Sequence, residues 1–113
     1  MATMVNSNRK GKVGEREWAQ WLCDNLGLKA RRGQQRSGVD TADVIDGIPG
    51  THAEVKRVEA LNLQQAMAQV WRDAPDGSVP YVAHRRNGCP WMVTVHASDL
   101  VKFARLVTEV TDA

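Results

Sequence analysis

The sequence predicts a mixed α/β or α+β domain in which helices flank a mixed β-sheet. Apolar residues recur at intervals of three and four in three segments, as they do on one face of a helix. Between these segments lie shorter apolar runs bounded by Gly, Pro, Asn and Asp, which is typical of strands joined by turns. The resulting order is helix, three strands, helix, two strands, helix (αβββαββα). With 113 residues, the chain is long enough for one domain with its own core.

Each element has its own segment of sequence. The predicted helices cover residues 13–26, 61–74 and 99–108. The predicted strands cover residues 29–34, 42–45, 53–57, 79–85 and 90–96. The residues expected on the inner faces of the helices share helical spacing: Trp18, Ala19, Leu22 and Leu26; Leu63, Ala66, Met67, Val70 and Trp71; Leu100, Phe103, Ala104 and Val107. A flexible arm (1–8) and a short tail (109–113) would flank a single domain over residues 9–108.

Composition narrows the class of protein. No apolar run approaches the roughly 18 residues of a membrane helix, and the N-terminus lacks the apolar core of a signal peptide. Cys23 and Cys89 lie far apart, which suits a reducing compartment better than a disulfide scaffold. We therefore expect a cytoplasmic protein with no membrane partner.

The positive charge is unevenly distributed, although the net charge is only +2. Eleven of the fifteen basic residues fall into four clusters: Arg9, Lys10 and Lys12; Lys29, Arg31, Arg32 and Arg36; Lys56 and Arg57; Arg85 and Arg86. Clustered Lys and Arg are typical of surfaces that bind phosphate. Solvated surface charge is the ordinary alternative for each of them.

The most informative stretch runs from Asp43 to Lys56. It contains a short apolar run, a turn-forming segment with two glycines and a proline, and a second alternating run, which together predict a β-hairpin or short meander. In a hairpin, Asp43 falls opposite Glu54, on the same face and about 5 Å away. Lys56, two residues after Glu54, projects from that face too. The alternative is a surface hairpin whose Glu54 and Lys56 form an ion pair that contributes little to stability.

A third acid lies on the first helix. Glu15 precedes Trp18 by three residues and Ala19 by four, so it projects from the inward stripe of the helix. The alternative is a first-turn carboxylate that favours the helix dipole, with Arg16 and Glu17 as surface neighbours. Two acids on one strand pair and a third on an adjacent helix are the oxygen ligands that Mg²⁺ prefers. A lysine beside them is suited to orienting a water molecule or stabilising charge on a phosphate.

The motif Asp43…Glu54-Val55-Lys56 resembles the signature of the PD-(D/E)xK nuclease superfamily. Glu15, in the segment KGKVGERE, is similar to the helix-borne acid of its archaeal and phage Holliday-junction resolvase branch. The order of elements over about residues 9 to 105 also resembles that family. The resemblance implies a restriction-endonuclease-like core. The family's Pro-Asp dipeptide is Ala42-Asp43 here, and Asp40 is an alternative to Asp43 as the ligand.

The resemblance implies a role for each matching position. Asp43, Glu54 and the Val55 carbonyl would bind Mg²⁺ or Mn²⁺, and Glu15 would bind the metal or order its water. Lys56 would be the catalytic lysine. Gln69 is similar to a glutamine that several branches carry near the site. The residues that would contact DNA, chiefly through phosphates, are Arg31, Arg32, Arg36, Ser37, Arg57, Arg85 and Arg86.

The resulting expectation is a metal-dependent DNA endonuclease that hydrolyses phosphodiester bonds, with branched DNA such as a Holliday junction as its substrate. Because a junction is two-fold symmetric and the chain carries one site, we expect a homodimer. The tryptophans are interpreted as core or interface residues, with Trp21 as a candidate dimer contact. A phage-encoded chain would act in its bacterial host cell. The alternatives are a nuclease of the same fold that acts on duplex or flap DNA, and a non-catalytic DNA-binding module.

Overall fold

The computed structural model describes residues 6–33 and 42–112 of the chain. The helices are α1 (Asn6–Leu26), α2 (Leu63–Asp73) and α3 (Leu100–Thr111), and a single 3₁₀ turn, Ala97–Asp99, leads into α3. The strands are β1 (Arg31–Arg32), β2 (Val44–Ile45), β3 (Thr51–Arg57), β4 (Val79–Arg85) and β5 (Met92–Thr94). The mixed helix and strand composition and the predicted order of elements are both confirmed. None of the helices in the described ranges is long and apolar enough to cross a membrane.

The element ends differ from the prediction. α1 begins at Asn6, so residues 6–8, which we expected in a flexible arm, belong to the helix. α3 continues to Thr111, through most of the segment expected to be a tail. β5 is three residues long because Pro90 has no N–H to donate to a ladder, and the chain after Thr94 turns toward the 3₁₀ segment.

The strands form two sheets. β3, β4 and β5 make a mixed sheet in that order, with β3 parallel to β4 and β5 antiparallel to β4. α2 is the crossover that the parallel pair requires. β1 and β2 form a separate antiparallel pair, with Arg31 opposite Ile45 and Arg32 opposite Val44.

The predicted hairpin between residues 42–45 and 53–57 is wrong. β2 forms its ladder with β1, and β3 forms its ladder with β4, so Asp43 is not a cross-strand partner of Glu54. The connecting segment is too irregular for a tight hairpin: Asp46 has a φ of 57°, and the Thr51 N–H donates to the Ile48 carbonyl. It carries the chain from one sheet to the other.

The three-stranded sheet is covered on both faces. β4 is the central strand, and its residues from Val79 to Ala83 are all buried. One face packs with α1 and α3 around Trp18, whose indole N–H donates to the Tyr81 hydroxyl at 3.0 Å. Burial raises the pKa of Tyr81 to about 12, so the hydroxyl stays neutral. The opposite face packs Val82 against α2 through Ala66, Met67 and Val70.

Several helix positions expected to face inward are exposed. Trp71 on α2 is 55% exposed, and Leu100 and Ala104 on α3 also face solvent. On α3 the partly buried stripe is Phe103, Leu106, Val107 and Val110, which packs on the α1 side of the sheet. Phe103 and Val107 therefore face inward as expected, while Leu106 and Val110 take the places of Leu100 and Ala104. The 3.6-residue period identified α3 as a helix, but it did not fix which of two neighbouring apolar stripes meets the core.

Candidate active site

Asp43 is held at the outer edge of β3 by its backbone and by its side chain. The Gly33 N–H donates to the Asp43 carbonyl at 2.9 Å, and a Cβ at Gly33 would lie 2.0 Å from the Ala42 carbonyl oxygen. Only glycine therefore allows this close approach. The Asp43 carboxylate accepts a hydrogen bond of 2.8 Å from the Val55 N–H. Asp43 thus reaches the residue between Glu54 and Lys56 without strand pairing.

The Asp43 carboxyl has an unusual proton affinity. Burial, followed by the charge of Glu15 and a hydrogen bond with it, raises the pKa of Asp43 from 3.8 to about 6. The Val55 N–H and the charge of Lys56 oppose this shift, because both favour the ionised form. Even with these two contacts, a net cost of ionisation remains.

Glu54 and Lys56 project from the same face of β3, as predicted. Their charged groups lie 3.2 Å apart, from Lys56 Nζ to Glu54 Oε1, and the Glu54 side chain is only 12% exposed. Burial and then the charge of Asp43 raise the pKa of Glu54, while Lys56 lowers it. Asp73, at the end of α2, raises it further. Two acids and one amine therefore share a partly desolvated place at the edge of β3.

Glu15 is brought to this group by the packing of α1. Gly14 allows the helix to approach β3 closely, since a Cβ there would lie 2.8 Å from the Arg57 Cβ. The Glu15 side chain is 18% exposed, so it is not the solvated first-turn carboxylate of the alternative interpretation. It accepts a hydrogen bond of 3.0 Å from Arg32 Nε while it also acts on Asp43. Arg32 thus compensates the charge of Glu15.

The acids of the candidate site form a small set of possible metal ligands. Across residues 6–33 and 42–112, no three His, Cys, Asp or Glu side chains are grouped closely enough to hold one metal ion. Asp43 and Glu54 remain as a minimal pair of metal ligands. Burial and a neighbouring negative charge raise the pKa of each of them. Mg²⁺ commonly takes one or two carboxylates and keeps several waters, so this pair fits a divalent cation.

Besides Arg32, two more of the arginines assigned to DNA phosphates are paired with a carboxylate of the protein. Glu17 bridges them, with Arg57 Nε at 2.8 Å from Oε1 and Arg85 Nη1 at 2.9 Å from Oε2. The Arg57 Nε–H is not directed at its oxygen, so that contact is an ion pair without a hydrogen bond. The view of Glu17 as a surface neighbour is wrong, because its side chain is only 28% exposed.

The other predicted contacts are more dispersed. Arg31 forms an exposed ion pair of 3.5 Å with Asp46, and Arg86 is exposed beside the β4–β5 turn. Gln69 is half-buried on α2, and no side-chain hydrogen bond within the described ranges joins it to the carboxylates. Three predicted positions lie outside the described residues: Arg36, Ser37 and the alternative ligand Asp40.

Sequence reasoning missed two acids, Glu17 and Asp73. Asp73 had a usable signal, since Gln65, Gln69 and Asp73 recur every four residues and form one polar row on α2. Glu17 had no such signal in its local sequence, because the two arginines that pair with it lie on β3 and β4.

The chain matches no protein-family model, and neither a curated protein nor a solved structure matches it significantly.

Proposed function

We propose that this protein is a metal-dependent DNA endonuclease that hydrolyses phosphodiester bonds, with branched DNA as its preferred substrate. The observation that carries the proposal is the group formed by Asp43, Glu54 and Lys56 at the edge of β3. Two half-buried carboxylates with raised pKa values lie beside an amine, and neither acid belongs to the buried apolar core. Such an arrangement costs stability, and carboxylates with perturbed pKa values cluster at functional sites.

The roles follow from the charges. Asp43 and Glu54 would hold Mg²⁺ or Mn²⁺, with the Val55 carbonyl as a further oxygen. The bound cation would supply an activated water and neutralise charge on the phosphate. Lys56 lies 3.2 Å from Glu54 and lowers the pKa of that acid, which burial raises, and the same amine would orient the water or stabilise the transition state. Glu15, which Arg32 holds, would order a water molecule at the site.

DNA would be held mainly through its phosphates. Arg31 and Arg86 are exposed, so they would contact phosphates most directly. Arg36 and Ser37, which lie outside the described residues, keep the DNA-binding role that the sequence predicts. Arg32, Arg57 and Arg85 have carboxylate partners in the protein, so they add less to DNA affinity. Contacts of this kind give affinity and salt dependence without selecting a sequence. Gln69 would act only from the edge of the site.

A two-fold symmetric junction needs two active sites, so the proposed enzyme is a homodimer. The direct test uses a four-way junction and a linear duplex that contain the same sequence, each with Mg²⁺ or with excess chelator. We expect paired cuts in the junction that depend on Mg²⁺ and much slower cutting of the duplex. Equal cutting of both substrates would favour a general duplex or flap nuclease, and activity in chelator would refute the metal mechanism.

One observation favours a second candidate, a non-catalytic DNA-binding module. Glu15 and Glu54 are each neutralised by a basic side chain of the protein, through Arg32 and Lys56. Such pairing competes with metal binding, because the basic side chain takes the place of the cation beside the carboxylate. Junction binding with no cleavage under any divalent cation would support this candidate.

A further inference from the structure

Large exposed apolar side chains are concentrated on and beside one segment of the chain, which includes the edge strand β5. Eight are exposed in the described part of the chain, and five of these lie on, or contact, the segment from β5 to the start of α3. They are Trp71 (55% exposed), Met92 (56%), Val93 (41%), Leu100 (56%) and Val101 (63%). Trp71 joins this group through His96, against which its ring packs edge-on at 4.9 Å. A concentration of this kind is typical of an interaction surface.

These side chains occupy both faces of the same edge. Met92 pairs with His84, so it lies on the sheet face that α2 covers, on the side of Trp71. Val93 pairs with Ala83, which belongs to the core on the α1 and α3 side. Leu100 and Val101 follow β5 in the chain, on the exposed surface at the start of α3. A partner that docked on one face alone would leave the other exposed. A partner that extended the sheet would cover both.

The backbone of β5 is open to such a partner. β5 is the last strand of the sheet, and nothing within the described ranges pairs with its outer edge. Its surroundings, PWMVTV from Pro90, contain no charged residue, although charge is the usual protection of an exposed edge. An antiparallel edge is complementary to a copy of itself turned by a two-fold axis, because each strand supplies the donors and acceptors that the other lacks.

We propose that two copies of this chain associate edge to edge through β5. The two strands pair antiparallel around a two-fold axis near Val93, and the two sheets become one sheet of six strands. Met92, with Trp71 on the same side, covers the junction on one face, and Val93 covers it on the other. The absence of charge on the strand lets two copies approach without repulsion.

The arrangement also sets the spacing of the two proposed active sites, a consequence that rests on the proposed function. β3 lies at the opposite edge of each sheet from β5. The two β3 strands are therefore separated by five strand spacings, or roughly 24 Å. Both sites stay open at the outer edges of the dimer.

The test is sedimentation velocity over a range of concentrations, with Val93→Lys as the disruptive variant and Val58→Lys as the control. Val58 is 38% exposed but lies after β3, away from the β5 edge. We expect wild type and Val58→Lys to form a dimer, and Val93→Lys to weaken dimerisation at least about tenfold, because it places two like charges across the axis. A wild-type monomer at the highest soluble concentration, or a Val93→Lys dimer as stable as wild type, would overturn the proposal.

A second measurement covers the case in which Val93→Lys fails to fold. Val93→Cys and Val58→Cys are made in a background where Cys23 and Cys89 are replaced by serine. Val93→Cys should form a disulfide-linked dimer under mild oxidation, and Val58→Cys should not. Equal cross-linking of the two variants would refute pairing through β5. Failure of the proposed function shows differently, as a wild type that dimerises through β5 and does not cleave DNA.

Discussion

Asp43 is the residue at which stability and the proposed chemistry oppose each other. Its carboxyl is half-buried and near Glu15, and its pKa is raised to about 6, against 3.8 for an ordinary aspartate. At pH 7 it is ionised in both the folded and the unfolded chain, and only the folded chain bears the cost of burying the charge. As the pH falls from 6 toward 4, the folded protein takes up a proton that the unfolded chain does not bind. The free energy of unfolding attributable to Asp43 therefore rises through this window.

We predict that Asp43→Asn stabilises the metal-free protein at pH 7 by about 1–3 kcal/mol, since the neutral amide can still accept the Val55 N–H bond. The variant should also lose the rise in stability between pH 6 and pH 4 that Asp43 causes. Urea unfolding at pH 5 and pH 7 measures both effects. A variant less stable than wild type at pH 7, with the same pH dependence, would show that the Asp43 charge is fully compensated.

Glu17 shows how one side chain can fix the arrangement of three elements. It joins α1 to β3 through Arg57 and to β4 through Arg85, and it does so next to Trp18, the largest buried side chain of the α1 contact. Glu15 lies two residues earlier on the same helix, so the contacts of Glu17 also determine where Glu15 falls against β3.

Glu17→Gln should destabilise the protein by about 1–3 kcal/mol, because two partly buried arginines lose their counter-charge. Arg31→Ala is the matched control, since its ion pair with Asp46 is about two-thirds exposed and should contribute less than about 1 kcal/mol. Chemical denaturation at two salt concentrations gives both values. Similar small losses in the two variants would mean that solvent screens Glu17 as fully as it screens Arg31.

At the scale of the elements, the close packing of α1 on β3 depends on a glycine. A Cβ at Gly14 would lie 2.8 Å from the Arg57 Cβ, whereas a Cβ at Gly11, one turn earlier, would meet nothing within 4 Å. The two glycines share one helix and differ only in their surroundings. They therefore separate the effect of packing from the effect of helix propensity.

Gly14→Ala should destabilise the protein by about 1–3 kcal/mol, because α1 must move away from β3. Gly11→Ala should stabilise it by up to about 1 kcal/mol, because alanine is the better helix former. Thermal unfolding of the two variants beside wild type measures the difference. If both substitutions stabilise the protein, α1 and β3 are not in close contact at Gly14.

The three-stranded sheet, not a local hairpin, positions the candidate site. Asp43 follows a strand pair of its own and reaches Val55 by one side-chain hydrogen bond, while Glu54 and Lys56 are carried by a strand paired with β4. The edge of β3 is thus where the two sheets meet. The arrangement brings acids from three separate parts of the chain to one place.

At the scale of the whole molecule, the sequence was sufficient to predict the features that depend on the local pattern of residues. Helical and strand periodicity sufficed for the order of the elements, for the burial of Trp18 and Leu22, and for the common face of Glu54 and Lys56. These features follow from spacing along one element. They do not require knowledge of which elements meet.

The features that the sequence could not predict depend on which strands pair, which helix faces pack on the sheet and which distant side chains meet. β2 pairs with β1, although the turn residues after it favour a hairpin with β3. The local pattern does not show which of the two strands is the partner. On α3, Leu106 and Val110 pack partly buried against the core, whereas Leu100 and Ala104 are exposed, and only the position of the sheet decides between the two stripes. The pairing of Glu17 with arginines 40 and 68 positions further along the chain belongs to the same class.

The central claim is that Asp43, Glu54 and Lys56 form a metal-dependent nuclease site. Its most direct measurement is the rate of four-way junction cleavage in Mg²⁺ by wild type, Asp43→Asn, Lys56→Ala and the control Lys102→Ala, whose amine donates to the Gly77 carbonyl on the exposed surface. We predict losses of at least about a hundredfold for the Asp43 and Lys56 variants and near wild-type rates for Lys102→Ala. Folded Asp43→Asn and Lys56→Ala proteins that cleave as fast as wild type would contradict the claim.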